Sequence, residues 1–371
     1  MEHVSAGLAI ICQEKILLVW QTEDNDGRHL SIPKGLIKPN ESPLRAAIRE
    51  TFEETGIRVS PDDVNTKPFL MNVETEAFQR RIIYFIVRIE KHPDVIPVDR
   101  AEIRWAGFLD YIETEKRLQL SQQSVLLHLN AHRLPVRASE WLCLNGYLIK
   151  EEHHEKNLFI YNYTAKCKKD RIWDEITFWC RGLITDCNNN IKYRPIKKFF
   201  EKEQMYRHFV PKDTDNFQLF EKKDGALGIL YWIGGLPYIA TRGSFNSLQA
   251  INGTRILYTK HSGEIHKLKD TYTYFFEIVY PKDRHVVDYG NTEDLFLIGA
   301  YDNIGQREIL LEEITDICFP KVRQISHSNN WNELQEVDKE NEEGYVAYFN
   351  DGTRIKIKFP GYKKKYELIY G

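Results

Sequence analysis

Short apolar runs separated by polar turns dominate the first third of the chain. Residues 8–21 (LAIICQEKILLVWQ) predict two apolar strands around a polar turn at residues 13–15. Residues 80–90 (RRIIYFIVRIE) predict a strand that is long enough to lie in the centre of a sheet. Residues 121–133 predict a closing helix, and Leu134-Pro135 with the polar residues that follow predict a domain boundary.

One further helix is predicted in this first part, over residues 43–55 (PLRAAIRETFEET). Pro43 suits its first turn, because the N–H that proline lacks would have no partner there. Gly56 suits the C-terminal end of the helix.

The second part of the chain is richer in predicted strands. Residues 226–232 and 236–242 flank Gly234 and Gly235, a pattern typical of a hairpin with a two-residue turn. Further strands are predicted at residues 271–280, 294–302, 344–349 and 354–359. The last strand alternates charged and apolar residues, which places Lys356 and Lys358 on the same face.

Composition narrows the class of protein. With 371 residues, of which 42% are hydrophobic and 28% charged, we expect a soluble protein of two domains. The chain has no stretch of eighteen apolar residues and no basic region ahead of its first apolar run, so we expect neither a membrane span nor a secretory signal. The six cysteines form no CxxC pair, which favours reduced thiols and a cytoplasmic location.

The net charge does not indicate a protein that is basic over its whole surface, as a nucleic-acid-binding protein often is. The net charge is −3, with 17 basic and 20 acidic side chains in residues 1–135 and 34 of each in the rest. The densest basic segment, residues 354–366 (RIKIKFPGYKKKY), interleaves lysines with aromatic residues. Taken alone, it is more typical of a solvated strand edge than of a binding surface.

Three carboxylates share one face of the helix predicted at residues 43–55. Glu50, Glu53 and Glu54 are spaced i, i+3 and i+4, and each like-charged pair costs roughly 0.2–0.5 kcal/mol. Mg²⁺ would remove this cost, because it takes oxygen ligands. A solvated acidic helix is the alternative interpretation. Glu41 lies upstream, where it could pair with the positively charged residue at position 49.

Residues 35–57 (GLIKPNESPLRAAIRETFEETGI) resemble the Nudix box, and the resemblance extends over residues 1–135. It implies an α/β/α sandwich that uses Mg²⁺ or Mn²⁺ to hydrolyse nucleoside diphosphates linked to another group. One of the last two glutamates of the box would position or deprotonate the attacking water. Thr51 stands where the family usually has an aliphatic residue. The implied metal ligands are the carbonyl of Gly35 and the carboxylates of Glu50, Glu53 and Glu54.

Residues 221–230 (EKKDGALGIL) place two lysines directly before Asp224 and Gly225. Taken alone, Lys-Lys-Asp-Gly is good turn chemistry and predicts only the mouth of a hairpin. A lysine amine can also act as a nucleophile. If a turn begins at Asp224, the strand before it points Lys222 and Lys223 to opposite faces, so only one of them can face a pocket.

The motifs around these lysines carry a second resemblance, which covers residues 140–371. In order and spacing they resemble covalent nucleotidyltransferases, specifically ATP-dependent RNA ligases of the phage tRNA-repair type. This implies an ATP-grasp-like nucleotidyltransferase domain of antiparallel sheets with flanking helices, and an α+β fold in two domains, 1–135 and 136–371. The motifs are CRGLI (180–184), RPIKKFF (194–200), KKDG (222–225), TRGS (241–244), FFEIVYP (275–281), LFLIGAYD (295–302), EGYVAY (343–348) and KIKF (356–359).

The resemblance also implies a role for each motif residue. Lys222, two positions before Asp224, is the implied nucleophile that forms lysyl-AMP, and Glu343 is implied to hold a metal in the later steps. The implied nucleotide contacts are Arg181 and Lys198 on the outgoing phosphates, Arg242 where the family often has lysine, Glu277 on the sugar or a metal, Phe296 on the adenine, and Lys356 and Lys358 on the α-phosphate.

The printed chain ends 13 residues past Lys358, so no OB domain is expected after the last motif. This favours an RNA ligase over a DNA ligase or a capping enzyme. We expect ATP and RNA as partners, no DNA and no membrane, with RNA ends sealed in repair or processing. The Nudix part would take an RNA 5′ end or a small nucleotide diphosphate. Two alternatives stay open: hydrolysis of dinucleoside polyphosphates or another small nucleotide, and a ligase-like part that only binds nucleotide and regulates.

Overall fold

The chain folds into two compact units. The computed structural model describes residues 4–22, 29–75, 78–205, 210–211, 215–326 and 331–371. Both units combine strands with flanking helices, so the predicted α+β class is confirmed. The N-terminal unit comprises Met1–Ile149, Tyr163–Phe178 and Asp186–Ile191, and the C-terminal unit comprises Lys150–Asn162, Trp179–Thr185 and Lys192–Gly371.

A mixed six-stranded sheet forms the centre of the N-terminal unit. Its strands are β1 (Val4–Cys12), β2 (Lys15–Gln21), β3 (Lys34–Leu36), β4 (Asn65–Thr75), β5 (Phe78–Ile89) and β6 (Ile103–Leu109). Their order is β4-β5-β1-β2-β6, with β3 paired to β1. Strand β1 runs parallel to β5, and the other pairs are antiparallel. The long strand predicted at residues 80–90 is therefore a central strand.

Strand β1 is buried on both faces, which explains its continuous apolar sequence. Leu8 and Ile10 pack on one side of the sheet, together with Ala46 of the acidic helix. Ala9 and Ile11 pack on the other side, in a separate cluster of buried residues. The sheet is thus covered by apolar side chains on both faces, and β1 positions everything that pairs with it.

Helix α1 (Pro43–Thr55) has the predicted bounds and the predicted caps. The Ser42 side chain accepts a hydrogen bond from the backbone N–H of Arg45, and Pro43 occupies the first turn. Gly56 ends the helix in the left-handed conformation, with φ of +74°. Thr51 is buried, and its hydroxyl donates to the Ala47 carbonyl at 2.7 Å, which lets a polar residue occupy an apolar position.

The helix predicted at residues 121–133 is only partly present. Leu120–Val125 is a 3-10 helix, and the α-helix that follows ends at Leu129. The reason lies in two buried glutamines. Gln122 accepts from the Ile32 N–H at 2.8 Å, and Gln123 donates to the Glu115 carbonyl at 2.8 Å. These side-chain bonds to distant backbone hold the segment in a tighter turn than apolar spacing predicts.

The other α-helices of the described residues range from 4 to 13 residues in length. The α-helices are α2 (Tyr111–Arg117), α3 (Leu126–Leu129), α4 (Val136–Leu144), α5 (Ala165–Asp170), α6 (Glu175–Trp179), α7 (Leu248–Lys260), α8 (Trp331–Glu336) and α9 (Pro360–Tyr370). Further 3-10 turns lie at Pro61–Asp63, Lys202–Gln204, Ser262–Lys267 and Pro281–Asp283. None of the helices in the described ranges is long and apolar enough to cross a membrane.

Three sheets contribute to the C-terminal unit. The first, mainly in this unit, has the order β10-β9-β8-β7 and the strands β7 (Leu148–Glu152), β8 (Leu158–Tyr163), β9 (Arg181–Asp186) and β10 (Ile191–Tyr193). The second has the order β11-β20-β19-β12-β18 and the strands β11 (Phe200–Glu201), β12 (Phe217–Lys222), β18 (Gln324–Ile325), β19 (Gly344–Phe349) and β20 (Arg354–Lys358). The third has the order β14-β13-β15-β16-β17 and the strands β13 (Ala226–Ile233), β14 (Leu236–Ala240), β15 (Tyr272–Val279), β16 (Asp294–Asp302) and β17 (Arg307–Ile309).

The predicted hairpin and the predicted antiparallel pairing are both present in these sheets. Gly234 and Gly235 both have positive φ, which matches the two-residue turn between β13 and β14. The pairs of the second and third sheets are antiparallel except for β11 and β20, which run parallel. Each of these two sheets has its own cluster of buried apolar side chains.

Candidate functional sites

A single arginine gathers three carboxylates beside α1. The guanidinium of Arg49 donates to both oxygens of Glu41 at 2.9 Å. It also donates to Glu50 Oε1 at 2.6 Å and to Glu53 Oε2 at 3.0 Å. The expected contact between Glu41 and Arg49 is therefore confirmed. Its hydrogen bonds lower the pKa of Glu41 to about 2.

Gly35 lies directly against one of these carboxylates. Strand β3 pairs Gly35 with Ala6 of β1, which fixes its position. A Cβ added at Gly35 would stand 2.1 Å from the carboxyl carbon of Glu50, so no other residue fits there without displacing this carboxylate. The structure thus brings together Gly35 and Glu50, which are 15 positions apart in the sequence.

Glu54 lies apart from the arginine and is buried, with 2% of its surface exposed. Its carboxyl oxygens accept from Gln21 Nε2 at 3.2 Å and from the Lys34 N–H at 3.1 Å. Burial raises the pKa of Glu54 to about 8, although the charge of Lys34 opposes the rise; Glu102 adds to it. Sequence reasoning missed Gln21 and Glu102, because each comes from another part of the chain and no local spacing marks it.

The donor set at this helix suits a hard divalent cation, because it consists of carboxylate and carbonyl oxygens. Within the described ranges, no group of three or more His, Cys, Asp or Glu side chains is already arranged to hold a metal ion. The single positive charge of Arg49 instead offsets part of the negative charge of Glu41, Glu50 and Glu53. A cation that bound here would therefore compete with Arg49 for the same oxygens.

The C-terminal unit contains a cavity of about 800 Å³. This volume lies within the range of sites that bind small molecules and cofactors. Five of the residues singled out from the sequence line the cavity, and each comes from a different segment. They are Arg181, Lys222, Arg242, Glu277 and Lys356.

Lys222 is the last residue of β12, and its ammonium lies 2.7 Å from Glu343 Oε2. Burial alone would lower the pKa of Lys222. The carboxylates of Glu343, Glu277 and Asp224 outweigh burial and raise this pKa above its ordinary value. Lys222 is therefore an ammonium ion in this arrangement, and an ammonium has no lone pair with which to attack.

Glu343 joins two of the predicted lysines. It lies just ahead of β19 with 3% of its surface exposed, and its second oxygen is 3.3 Å from Lys358 Nζ. Burial alternates along β20, so Lys356 and Lys358 share a face, as predicted. The strand therefore presents one lysine to Glu343 and a second lysine to the cavity.

A cluster of cations surrounds the ring of Phe199 at the cavity wall. Lys356 Nζ lies 4.8 Å and Arg181 Cζ 5.7 Å from the ring centre, and Lys198 donates to the Phe199 carbonyl at 2.9 Å. Burial lowers the pKa of Lys356 well below its ordinary value, and the charges of Lys198 and Arg181 lower it further. So many positive charges in one wall favour a bound anion such as phosphate.

Asp224 connects two distant segments to the end of β12. Its carboxylate accepts from the N–H groups of Val286 and Val287 at 2.9 Å and from the Tyr362 hydroxyl at 2.8 Å. Its own N–H donates to the Tyr289 hydroxyl at 2.8 Å. Sequence reasoning assigned Asp224 only to a turn, because these partners lie far away along the chain.

Lys223 also lines the cavity, so the expectation that only one of the two lysines faces a pocket is wrong. Strand β12 ends at Lys222, and the alternation of a strand does not extend to the next residue. The Lys223 ammonium lies 3.4 Å from Glu221 Oε2 and 4.6 Å from the centre of the Phe296 ring. Phe296 is paired with Glu277 of the neighbouring strand. Its ring, which was predicted to contact adenine, is therefore in contact with the Lys223 ammonium.

Two family models match the chain. One, described as a NUDIX domain, matches residues 1–129. The other, described as RNA ligase, matches residues 179–366, just over half of the chain. The chain belongs to this RNA ligase family. Both domains indicate enzymatic activity, and Nudix hydrolases and RNA ligases generally use divalent metals and ATP.

Individual relatives match parts of this ligase chain. The RNA ligase of Rhodothermus phage RM378 is 27% identical over 216 residues, a match that covers 47% of this chain and 47% of the phage protein. The chain thus spans about half the length of this curated relative. The structure of a C. elegans Ap4A hydrolase binary complex is 21% identical and covers 38% of this chain and 98% of its own, with a TM-score of 0.29. A MutT NUDIX hydrolase from Burkholderia pseudomallei is 19% identical and covers 34% and 96%, with a TM-score of 0.29.

Proposed function

We propose that residues 136–371 form an ATP-dependent ligase that joins 5′-phosphate and 3′-hydroxyl RNA ends through a lysyl-AMP intermediate on Lys222. The observation that carries this proposal is the position of Lys222 in the cavity wall. Carboxylates of Glu343 and Glu277 lie on one side of it, and the cations of Lys356 and Arg181 line the same cavity. Nucleotidyl transfer needs such a set: a nucleophile, oxygens for a metal, and fixed cations.

In the first step, the Lys222 amine attacks the α-phosphorus of ATP. A P–N bond forms, the bond to the departing pyrophosphate oxygen breaks, and the amine releases its proton to solvent. Arg181 and Lys198 would face the outgoing phosphates, Lys356 with Lys358 would face the α-phosphate, and Arg242 would add a further cation to the cavity wall. AMP then passes to the RNA 5′-phosphate, and attack by the 3′-hydroxyl on that phosphorus closes the strand and releases AMP.

Glu343 controls whether Lys222 can begin this reaction. The ion pair of 2.7 Å keeps the lysine protonated, so the amine becomes free only when Glu343 is neutralised in another way. A divalent cation held by the Glu343 carboxylate would supply that positive charge and would lower the pKa of Lys222. Lys358 contacts the second oxygen of the same carboxylate and holds it in place during the exchange.

We further propose that residues 1–135 remove pyrophosphate from RNA 5′ ends, which leaves the monophosphate that a ligase needs. Gly35, Glu50, Glu53 and Glu54 would hold Mg²⁺ or Mn²⁺ through their oxygens. Glu54 is our candidate for the base that takes the proton of the attacking water. Burial raises the pKa of this carboxyl in the metal-free fold, and a bound cation would keep it ionised so that it could accept the proton.

A sealing assay tests both proposals on one RNA supplied with either a 5′-triphosphate or a 5′-monophosphate end, together with ATP and Mg²⁺ or Mn²⁺. Wild type is compared with Lys222→Ala and with Glu53→Gln/Glu54→Gln. We expect wild type to join both ends, the glutamate variant to join only the monophosphate end, and the lysine variant to join neither.

Other outcomes of this assay separate the domains. If wild type joins only monophosphate RNA, the ligase proposal stands and the proposal of end preparation is wrong. Dinucleoside polyphosphates then become the substrates to test. Absence of any Lys222-dependent AMP adduct in a wild-type protein that binds ATP removes the ligase reaction. The C-terminal domain would then be a nucleotide-binding regulator.

A further inference from the structure

A column of three tyrosines runs along one face of α9. Tyr362, Tyr366 and Tyr370 are spaced four residues apart, so they lie above one another on the helix. The ring centres of the first two are 6.1 Å apart, and those of the last two are 4.8 Å apart. Tyr362 is buried, but Tyr366 is 43% and Tyr370 50% exposed. The outer two rings therefore offer aromatic surface to a ligand.

Lysines accompany this column. Positions 363, 364 and 365 are all lysine, and Glu367 is the one acidic residue of α9. Lys363 pairs with Glu201 at 2.6 Å. Lys364 and Lys365 are exposed, so this helix presents positive charge next to its rings.

The inner end of the column lies at the ligase site. The Tyr362 hydroxyl donates to Asp224, two positions from Lys222. Lys358, which contacts Glu343, has its ammonium 5.0 Å from the ring centre of Tyr362 and 5.3 Å from that of Tyr366. From Tyr366 to Tyr370 the helix rises about 6 Å, so the two exposed rings lie about one helical turn apart.

We propose that α9 is the docking surface for a single-stranded RNA end that enters the ligase site, with bases stacked on Tyr366 and Tyr370 and phosphates at Lys364 and Lys365. The inference rests on the proposed ligase function. Exposed rings combined with basic side chains suit single-stranded nucleic acid, and stacking accepts any base because every base has a π-face. An acidic protein surface could pair with the lysines, but it would not account for the two exposed aromatic rings beside them.

The test measures RNA docking apart from ATP chemistry, in the full chain. Tyr366→Ala/Tyr370→Ala should bind a fluorescent 5′-phosphorylated RNA of about twelve nucleotides at least about tenfold more weakly than wild type, as measured by anisotropy without ATP. Lysyl-AMP formation from ATP without RNA should stay within about threefold of wild type, because these side chains make only weak contacts with the site: the Tyr366 ring centre lies 5.3 Å from Lys358 Nζ, and the Tyr370 hydroxyl lies 3.5 Å from His285 Nδ1.

Matched variants of the same helix sharpen this test. Leu368→Ala/Ile369→Ala removes two exposed apolar side chains but no ring, and should bind RNA like wild type. Tyr366→Phe/Tyr370→Phe keeps the rings and should also bind like wild type. Lys364→Gln/Lys365→Gln should reduce the slope of log Kd against log salt by about 1.4, because each phosphate contact on a single strand contributes about 0.7.

Two results would overturn the docking surface. The first is wild-type RNA affinity in the tyrosine-to-alanine variant, and the second is lost affinity in the folded phenylalanine variant, which retains stacking. If wild type itself forms no lysyl-AMP yet binds RNA through these tyrosines, the ligase function fails while the surface stands.

Discussion

The acidic helix of the N-terminal unit and the cavity of the C-terminal unit both pair carboxylates with strong cations, but over different distances along the chain. Arg49 meets Glu41 from eight positions away, on the same helix and its leading loop. Lys222 meets Glu343 from 121 positions away. The first network can form as soon as α1 forms, whereas the second requires the β12 and β19 strands to be paired.

The two sites differ in whether burial or nearby charge dominates the pKa of a buried group. Glu54 and Glu343 are buried to nearly the same extent, at 2% and 3% exposure. Glu54 accepts from a neutral amide of Gln21, and burial raises its pKa to about 8. Glu343 faces two ammonium groups, and raises the pKa of Lys222. Burial thus dominates the pKa of Glu54, whereas nearby carboxylates outweigh burial at Lys222.

The largest expected effect separates the two neighbouring lysines of the cavity. Lys222→Ala should reduce the transfer of label from α-labelled ATP to the protein by ~10³-fold or more, because the nucleophile is gone. Lys223→Ala, which removes the other lysine in the cavity wall, should keep labelling within about tenfold of wild type. Labelling that depends on Lys223 and persists without Lys222 would show that the nucleophile is misassigned.

The next effect concerns the stability of the metal-free N-terminal unit. Glu54 has a pKa of about 8 in the fold against an ordinary 4.5, so the folded state binds this proton more tightly than the unfolded state. That contribution is fully present below the ordinary pKa and is lost as pH rises through the folded one. Glu54→Gln should therefore unfold at higher urea than wild type near pH 9, by about 2–4 kcal/mol in free energy of unfolding.

The pH dependence provides the control for that measurement. The advantage of Glu54→Gln should vanish near pH 4, where the carboxyl is protonated in both states. Glu53→Gln, whose side chain is 43% exposed, should change the free energy of unfolding by less than about 0.5 kcal/mol at either pH. An advantage of the same size at both pH values would contradict burial as its cause.

A smaller effect is expected at the buried carboxylate of the cavity. Glu343→Gln removes the charge that raises the pKa of Lys222, so the free amine becomes more abundant at a given pH. In metal-free protein without ATP, modification of Lys222 by an amine-reactive reagent should be about tenfold faster near pH 8. Mass spectrometry of the Lys222 peptide measures the rate.

Glu342→Gln is the matched control for this experiment. Glu342 is next in sequence but forms only loose ion pairs, at 4.0 Å with Arg323 and 3.9 Å with Lys339. It should leave the reactivity of Lys222 unchanged. Equal acceleration in both variants would mean that general loss of negative charge, rather than the direct contact, sets the reactivity.

The smallest effect tests the hydrogen bond between α9 and Asp224. Tyr362→Phe removes the 2.8 Å bond from its hydroxyl and should lower the free energy of unfolding by ~1 kcal/mol. Tyr366→Phe, at an exposed position on the same helix, should change it by less than about 0.5 kcal/mol. Denaturant unfolding of the two variants side by side makes the comparison, and equal losses would argue against a specific role of this bond.

Sequence patterns correctly predicted the structural features that depend on residues close together in the chain. Helix α1 begins and ends at the predicted residues, because Ser42, Pro43 and Gly56 supply its caps within the segment itself. The shared face of Lys356 and Lys358 follows from the two-residue period of a strand. In each case the physical cause lies within a few positions of its effect.

Contacts between distant segments could not be predicted in the same way. The sequence around Glu54 does not predict its contact with Gln21, and the sequence around Asp224 does not predict its contacts with the N–H groups of Val286 and Val287. Lys223 was predicted to face away from the pocket because strand alternation was extended one residue past the end of β12. Partners set by tertiary pairing leave no periodicity in either segment.

Arg49 acts as a resident counter-ion for the acidic helix. While no metal is bound, its guanidinium forms an ion pair with each of three carboxylates, and its positive charge reduces the repulsion among them. Small zinc domains behave differently, because stripping their metal unfolds them. For the proposed metal-dependent hydrolase, chelation should therefore stop activity while leaving helix α1 folded, and restored metal should revive activity without refolding. The domain would then keep its native fold when metal is scarce.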